Sequence, residues 1–170
     1  MAENRENKAI EIRTKITRKE LYEFIMNNNY VSVRGVVSVL FSLASAVGTV
    51  FYWSEFSNLQ RVLMLFMSLM FTVITPFEYY IRAGRQVRKN FKDEMTYVFD
   101  ETGITIKIRE ESSSLPWNEV MKVISTKNLI VVYFTPIRAF IIPKKNINDF
   151  DNLKEMMEQN TSCYKFKMQK

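Results

Sequence analysis

The sequence lacks histidine entirely, and it contains only one cysteine, Cys163, and four glycines among 170 residues. Without histidine, the usual zinc ligand sets and catalytic triads with a histidine base are excluded. A single cysteine excludes an intrachain disulfide. The four glycines are far apart, so a glycine-rich phosphate-binding loop is excluded as well. We therefore expect no metal ion, no cofactor and no catalytic residue in this chain.

Two long runs contain no charged residue, residues 36–53 and 62–77, although the mean hydropathy of −0.13 is ordinary for a soluble protein. A helix that crosses a hydrocarbon core of ~30 Å needs about 20 residues. The runs reach this length as spans of about 31–53 and 61–81, with Arg34 snorkelling and Glu78 at the headgroup level, paired with Arg82. The runs predict a transmembrane hairpin rather than a helical hairpin buried in a soluble domain.

The positive charge is concentrated beside these spans. Residues 93–170 are electrically neutral, so the net charge of +6 arises within residues 1–92. The connection 54–60 has no lysine or arginine, whereas basic residues precede the first span and five follow the second: Arg82, Arg85, Arg88, Lys89 and Lys92. The positive-inside rule then predicts a multi-pass protein of the cell membrane with both termini in the cytoplasm.

The five basic residues after the second span are candidate membrane-surface contacts. They either set the orientation only or also attract anionic lipids of the bilayer. The bilayer explains the basic balance of the chain, and we expect no nucleic acid as a partner. In the first span, Ser38, Ser42 and Ala46 recur every four residues and permit close helix approach. Their partner is the second span or a second copy of the chain in a homo-oligomer.

The periodicity changes from helical to alternating at Met95. Alternation and β-branched runs predict strands at 95–99, 104–108, 120–125, 129–135 and 139–143. Residues 109–114 are expected to form a polar loop, and Gly103 to supply a positive φ in a hairpin turn. A helix capped by Asn148 follows, with Phe150, Leu153 and Met157 on its apolar face. The fold class is therefore α+β, a two-helix transmembrane hairpin joined to antiparallel strands that a C-terminal helix closes.

The N-terminal segment also alternates, with Ile10, Ile12 and Ile16 on one face. Such a strand is not stable alone, so it must join the sheet of residues 95–143. Thr17 and Glu20 form a capping box for a short helix over 18–28. We divide the chain into an N-terminal strand and helix (1–29), the hairpin (30–81), a cytoplasmic domain (82–160) and a tail (161–170). Residues 82–92 are expected to continue the second span as a helix. The tail is an edge strand, a membrane-touching segment or a frayed end.

Three stretches resemble the YcxB-like family of bacterial membrane proteins: "YVFDETGI" (97–104), "LPWNEVMKVISTKNLIVVYF" (115–134) and "AFIIPKK" (139–145). The two apolar spans and "TRKELYEF" (17–24) extend the resemblance over most of the chain. It implies that the soluble part is similar to pleckstrin-homology-like (PH-like) domains, which are strand barrels capped by a C-terminal helix. The family supplies no activity to carry over. The first hairpin turn, "DETG", is acidic, which counts against inositide binding there.

These patterns indicate a non-enzymatic bacterial inner-membrane protein that presents a PH-like cytoplasmic module to a peptide, a partner protein or a lipid. The alternatives are an accessory subunit of a membrane system, protective like an immunity protein or regulatory like a transporter accessory, and an enzyme that uses acids, lysine or tyrosine. Arg138, Lys144 and Lys145 are a candidate ligand or partner face, although a solvated turn explains them too. Trp117 is core or a ligand platform. We expect ten side chains to be mostly buried: Phe99, Ile104, Ile106, Trp117, Val123, Val131, Tyr133, Ile141, Phe150 and Leu153.

The charge asymmetry makes a testable prediction about topology. A tag inserted between Glu55 and Gln60 should be reachable from outside intact cells, whereas both termini should resist an external protease. The physical reason is the retention of basic flanks on the cytoplasmic side. Protease cleavage of either terminus in intact cells would contradict the assigned orientation.

Overall fold

The computed structural model describes residues 9–136, 138–162 and 165–168, with the side chain of Lys165 excepted. The chain divides into two compact units, one of Met1–Glu20 with Val87–Lys170 and the other of Leu21–Gln86. The first unit holds the strands, and the second holds the apolar helices. Both boundaries fall within helices, so no separate linker joins the units.

The helices in chain order are α1 (Arg18–Tyr30), α2 (Val33–Phe51), α3 (Asn58–Leu69), α4 (Thr75–Asn90) and α5 (Phe150–Asn160), with a π-helical turn over Met70–Ile74 between α3 and α4. The strands are β1 (Ile10–Thr14), β2 (Met95–Phe99), β3 (Gly103–Ile108), β4 (Glu111–Pro116), β5 (Lys122–Ser125), β6 (Leu129–Tyr133), β7 (Ala139–Pro143) and β8 (Lys165–Lys167). Short 3₁₀ turns occupy Trp117–Glu119 and Lys144–Asn146. The predicted α+β class with antiparallel sheets and a C-terminal helix is confirmed.

The first sheet has the order β1-β2-β3-β4, and every neighbouring pair is antiparallel. Strand β1 pairs with β2 from Ile10 opposite Phe99 to Thr14 opposite Met95. Ile12 and Ile16 are buried, and Ile10 is half-buried. The expectation that the N-terminal segment joins this sheet is therefore confirmed, although the strand ends at Thr14. The apolar helical hairpin is an insertion between two adjacent strands of one sheet.

The second sheet has the order β7-β6-β5-β8, with β8 parallel to β5 and the other pairs antiparallel. In β8, Phe166 lies opposite Val123, and the following Met168 is buried. Of the three readings of the tail, the edge strand fits the residues described there, and Cys163 and Tyr164 lie outside them. Tyr97 of the first sheet donates a hydrogen bond to the carbonyl of Ile141 in the second, with an oxygen–oxygen distance of 3.4 Å.

The expected polar loop at residues 109–114 was wrong, because Glu111–Pro116 forms strand β4 opposite β3. Residues Glu111 to Ser114 are exposed on both faces of this edge strand, so no apolar alternation marks it in the sequence. Leu115 opposite Ile104 is buried and fixes the register. The turn between β3 and β4 contains Arg109, with a φ of 54°.

Gly103 does not have the positive φ expected of it. Its lack of a side chain matters because β4 passes directly beside it. A Cβ at this position would lie 2.2 Å from the carbonyl oxygen of Leu115 and 2.8 Å from the Cα of Pro116. The expected cap of the last helix was also displaced by one residue, since Asp149, and not Asn148, accepts the hydrogen bond from the Asn152 N–H.

The core of the sheet unit follows the predicted list closely. Nine of the ten named side chains are buried and Phe150 is half-buried. The Trp117 ring stacks on Phe99 at 6.4 Å between centroids, and its indole N–H donates to the carbonyl of Asp100 at 2.8 Å. Leu153 and Met157 of α5 have no exposed surface. Trp117 is therefore a core residue, which removes the ligand-platform alternative.

In the helical unit, α2 and the continuous helix Asn58–Asn90 are long and apolar enough to cross a membrane, by length and composition. The seam between α2 and α3 is polar, since the buried residues of these two helices are Ser42, Ser45, Thr49 and Ser68. Ser42 donates from its hydroxyl to the carbonyl oxygens of Met67, at 3.2 Å, and Ser68. The small residues of the first span thus contact the second span, which was one of the two partners expected for them, the other being a second copy of the chain.

The core position of Trp117 makes a quantitative prediction. Trp117→Ala in the full chain should lower the free energy of unfolding by about 3–5 kcal/mol, because it leaves a cavity against Phe99. The matched control is Trp53→Ala, since Trp53 is 46% exposed and its Arg61 contact is worth less than about 1 kcal/mol. Chemical unfolding in detergent, followed by far-ultraviolet circular dichroism, measures both. Equal losses for the two variants would contradict the core assignment.

Candidate functional site

The basic residues after the second span lie on one face of α4. Arg82, Arg85, Arg88 and Lys89 fall within an arc of about 120° at about 100° per residue, and the buried Ala83 and Gly84 lie outside this arc. All four are exposed, as is Lys92 in the connection to β2. The predicted continuation of the second span as a helix is confirmed as far as Asn90. The arrangement presents a row of cations to solvent or to an anionic surface.

Glu78 precedes this row on the same helix and is exposed. The expected ion pair with Arg82 is not formed in the described part of the chain, where ion pairs join Arg13 to Glu11, Arg109 to Asp93 and Lys145 to Glu20. One helical turn separates Glu78 from Arg82, but their exposed side chains gain little from pairing in water. Glu78 therefore does not act as an ion-pair partner for Arg82 in the row of cations.

The π-helical turn between α3 and α4 leaves one backbone carbonyl without its helical partner. The N–H of Thr75 bonds to the carbonyl of Met70, five residues back, so it does not serve Phe71. The next residue is Pro76, which has no N–H. The hydroxyl of Tyr30 donates to the Phe71 carbonyl at 2.6 Å instead. A distant tyrosine thus supplies the donor that the proline lacks, which ties the end of α1 to the second span.

The corner between α1 and α2 is equally specific. Ser32 caps α2, accepting from the Gly35 N–H at 3.2 Å, and its own hydroxyl donates to the Asn29 carbonyl. A Cβ on Gly35 would lie 2.1 Å from that carbonyl oxygen and 2.7 Å from the Cα of Tyr30. Only glycine permits this close approach. In the sequence, the only sign of this arrangement was Pro76 inside an apolar run. It did not reveal that Tyr30 would supply the missing hydrogen-bond donor.

A pocket of about 540 Å³ opens at this corner. Side chains between residues 28 and 38 form one wall, and Phe71, Thr75 and Tyr79 form the other; we call it the corner pocket. The rings of Tyr30 and Tyr79 meet edge to face at 6.4 Å. Most of the lining residues are polar, and Arg34 is the single charged residue among them. The hairpin therefore carries a pocket that combines polar residues and one positive charge with a largely apolar surface.

In the sheet unit, Glu20 connects the N-terminal helix to the turn after β7. The capping box is confirmed: the Thr17 N–H donates to Glu20 Oε2 at 2.7 Å, and the Glu20 N–H donates to Thr17 Oγ1 at 3.4 Å. The other carboxylate oxygen is 2.7 Å from Lys145 Nζ. Burial by itself raises the pKa of Glu20, but the Lys145 and Thr17 hydrogen bonds outweigh it, so the pKa is lowered. Asn146 adds a hydrogen bond of 2.9 Å to the Arg13 carbonyl.

The three residues of the candidate ligand or partner face, Arg138, Lys144 and Lys145, have different surroundings in the structure. Lys145 pairs with Glu20, and Lys144 Nζ lies 5.7 Å from the centroid of the Phe150 ring. Arg138 is exposed in the turn before β7, where its N–H bonds to Thr135 Oγ1. A common ligand for the three residues stays a prediction. Within the described ranges, no cluster of three or more Asp, Glu, Cys or His side chains is arranged to hold a metal ion.

Comparison with known proteins gives two sequence matches. Residues 99–159 match the sequence model of the YcxB-like protein family. The uncharacterized protein YcxB of Bacillus subtilis (strain 168) is 28% identical over 126 residues, which are 70% of this chain and 68% of the relative. No solved structure matches the chain significantly. Both sequence matches are to YcxB-like proteins, so the resemblance noted in the sequence is confirmed.

The lowered pKa of Glu20 predicts how its contribution depends on pH. Glu20→Gln should destabilise the full chain near pH 7, and the difference from the unchanged chain should shrink as the pH falls. The contribution of the carboxylate is fully present above its unfolded value of 4.5 and is lost as the pH falls through the lowered folded value. Denaturant unfolding at a series of pH values measures this difference. Glu158→Gln, at an exposed position of α5, is the control, and a difference independent of pH would contradict the role of Glu20.

Proposed function

We propose that this chain is a non-enzymatic protein of the cell membrane, anchored by the hairpin of α2 and α3–α4, with a PH-like binding module in the cytoplasm. The observation that carries this proposal is the inverted burial of the hairpin. Serines and a threonine are buried at its seam, while Leu43, Val50 and Leu65 are exposed like most large apolar side chains of the unit. Water disfavours such a surface, whereas hydrocarbon accepts it. A core helix of a soluble protein would have the opposite pattern.

Length supports the same placement. The continuous helix Asn58–Asn90 has 33 residues, or about 50 Å at 1.5 Å per residue. This exceeds a hydrocarbon core of ~30 Å, so its basic end lies outside the core. The row of cations from Arg82 to Lys89 then stands at the headgroups and beyond, which is the cytoplasmic side by the positive-inside rule.

The sheet unit supports the PH-like part of the proposal. Two antiparallel sheets, β1–β4 and β5–β7, are followed by α5, and these are the elements of a strand barrel with a C-terminal helix. Strand β4 lies at an edge of its sheet, and Glu111 to Ser114 are exposed. An exposed edge of small polar residues can accept an extended segment of a partner protein through backbone hydrogen bonds. We assign the module to binding such a segment.

Membrane anchoring is tested by placing one charge on the outward face of the hairpin. Leu43→Asp, near the middle of α2, should reduce the fraction of the chain that resists alkaline carbonate extraction, because an aspartate at the centre of a span costs about 2.5–3.5 kcal/mol. Leu59→Asp, at the start of α3 and 70% exposed, is the matched control and should remain in the membrane pellet. Release of the unchanged chain by carbonate would contradict the anchor.

The binding module is tested separately in living cells. A photo-crosslinking residue at Ser113 on β4 should yield discrete protein adducts, whereas the same residue at Glu158, exposed on α5, should not. The reason is that β4 offers an unpaired strand edge to an extended segment, whereas the helix α5 offers none. Adducts at neither position, or the same adducts at both, would contradict strand addition at β4.

A further inference from the structure

We propose that the corner pocket binds the glycerol-phosphodiester headgroup of an anionic membrane lipid. This inference rests on the proposed placement of the hairpin in a bilayer. It assigns a specific ligand site to the corner pocket, whereas the cationic face of α4 offers only general attraction to anionic lipids. The pocket lies at the end of two apolar helices, where Tyr22 and Tyr80 also meet edge to face at 5.6 Å. Tyrosines gather at this depth because their rings favour the headgroup region.

The charge of the residues that line the pocket determines whether it favours an anionic or a cationic ligand. Arg34 is the single charged residue that lines the pocket, and none of the lining residues is acidic. Its guanidinium has no ion pair or hydrogen bond to any side chain or backbone group in the part of the chain that the structure describes. A guanidinium is weakly hydrated and matches a phosphate group through paired N–H donors. The pocket therefore favours an anion, and a phosphodiester is the anion that a bilayer surface offers.

Hydrogen bonding determines the rest of the headgroup. The hydroxyls of Ser32, Ser38 and Thr75 already donate to backbone carbonyls, so they face a ligand mainly as acceptors. The Tyr79 hydroxyl makes no hydrogen bond among the described residues, and it lines the same pocket as Arg34, so it can donate to a ligand there. A phosphate accepts from Arg34 and Tyr79, and glycerol hydroxyls donate to the serine and threonine oxygens. A choline or ethanolamine ammonium would need a carboxylate, and none lines the pocket.

Shape agrees with this ligand. The volume of about 540 Å³ lies within the range of ~300–1,000 Å³ that small-molecule pockets occupy. The contact of Gly35 with Asn29 and the bond from Tyr30 to Phe71 fix both walls before a ligand arrives. Exposed Val33 beside the pocket offers apolar surface to the acyl chains. A preformed pocket that combines hydroxyl groups, one cation and apolar surface fits a lipid better than a fully soluble anion.

The test is calorimetric titration of the full chain in a nonionic detergent. Dihexanoyl-phosphatidylglycerol should bind, and Arg34→Gln should weaken it on the order of tenfold or more, because a charge-assisted hydrogen bond is lost. Tyr79→Phe, which removes only the hydroxyl, should weaken it less. Arg61→Gln at the opposite end of the hairpin is the matched control and should leave binding unchanged, since Arg61 contacts Trp53 and Asn58.

Two further titrants separate the sources of the phosphate. Dihexanoyl-phosphatidylcholine should bind at least about tenfold more weakly than the glycerol lipid, since its ammonium finds no acidic partner. Inorganic phosphate should also bind more weakly, since it lacks the glycerol and the chains. Equal binding of either titrant, or an unchanged affinity in Arg34→Gln, would overturn the proposal. Carbonate extraction of the same variants separates this failure from failure of the membrane anchor, because Arg34→Gln should remain in the pellet.

Discussion

Strand β1 is paired with β2 over five residues, although residues 15–94 separate the two strands in sequence. Much of the sheet unit depends on this pairing, because it brings Ile12 and Thr14 into the core and leaves the helical hairpin as an insertion in a sheet. The entropic cost of closing so long a connection grows only with the logarithm of its length. Burial of one face of β1 offsets that cost. The first sheet is therefore complete only after the whole hairpin has been synthesised.

The hairpin itself depends on where its backbone and hydroxyl hydrogen bonds are made. Serine and threonine side chains occupy the seam, and they bond to carbonyls of their own or the facing helix. Pro76 has no N–H to donate, and in the π-helical turn the Thr75 N–H bonds to Met70 instead of Phe71. The Tyr30 hydroxyl supplies the hydrogen bond that the Phe71 carbonyl would otherwise lack. In hydrocarbon an unsatisfied carbonyl is costly, so such replacement is required there more than in water. Tyr30 and Phe71 also line the corner pocket, so the residues of this hydrogen bond belong to the proposed ligand site as well.

Cationic residues of this chain differ in their roles in ways that their sequence positions did not reveal. Those on α4 stay exposed as a row, Lys145 is used internally to hold Glu20, and Arg34 lines a pocket. In the sequence, Lys145 resembled a ligand contact because it lies in a basic turn. The partner Glu20 comes from far upstream, and only the fold brings them within 2.7 Å. In the sequence, Arg34 resembled a residue that only extends to the membrane interface, because the second wall of its pocket comes from Phe71, Thr75 and Tyr79, remote in sequence.

The sequence by itself determined the two apolar helices, the basic continuation of the second, the capping box at Thr17, the main strands and most of the buried side chains. Each of these is a local pattern of charge or periodicity, which a single segment expresses without its neighbours. Strand β4 was missed because its first four residues are polar and exposed on both faces, and its pairing with β3 comes from the fold. The steric need for Gly103, the parallel pairing of β8, the Tyr30–Phe71 bond and the corner pocket were decided by tertiary structure alone. Each depends on the distance between backbone segments remote in sequence, and no local pattern encodes that distance.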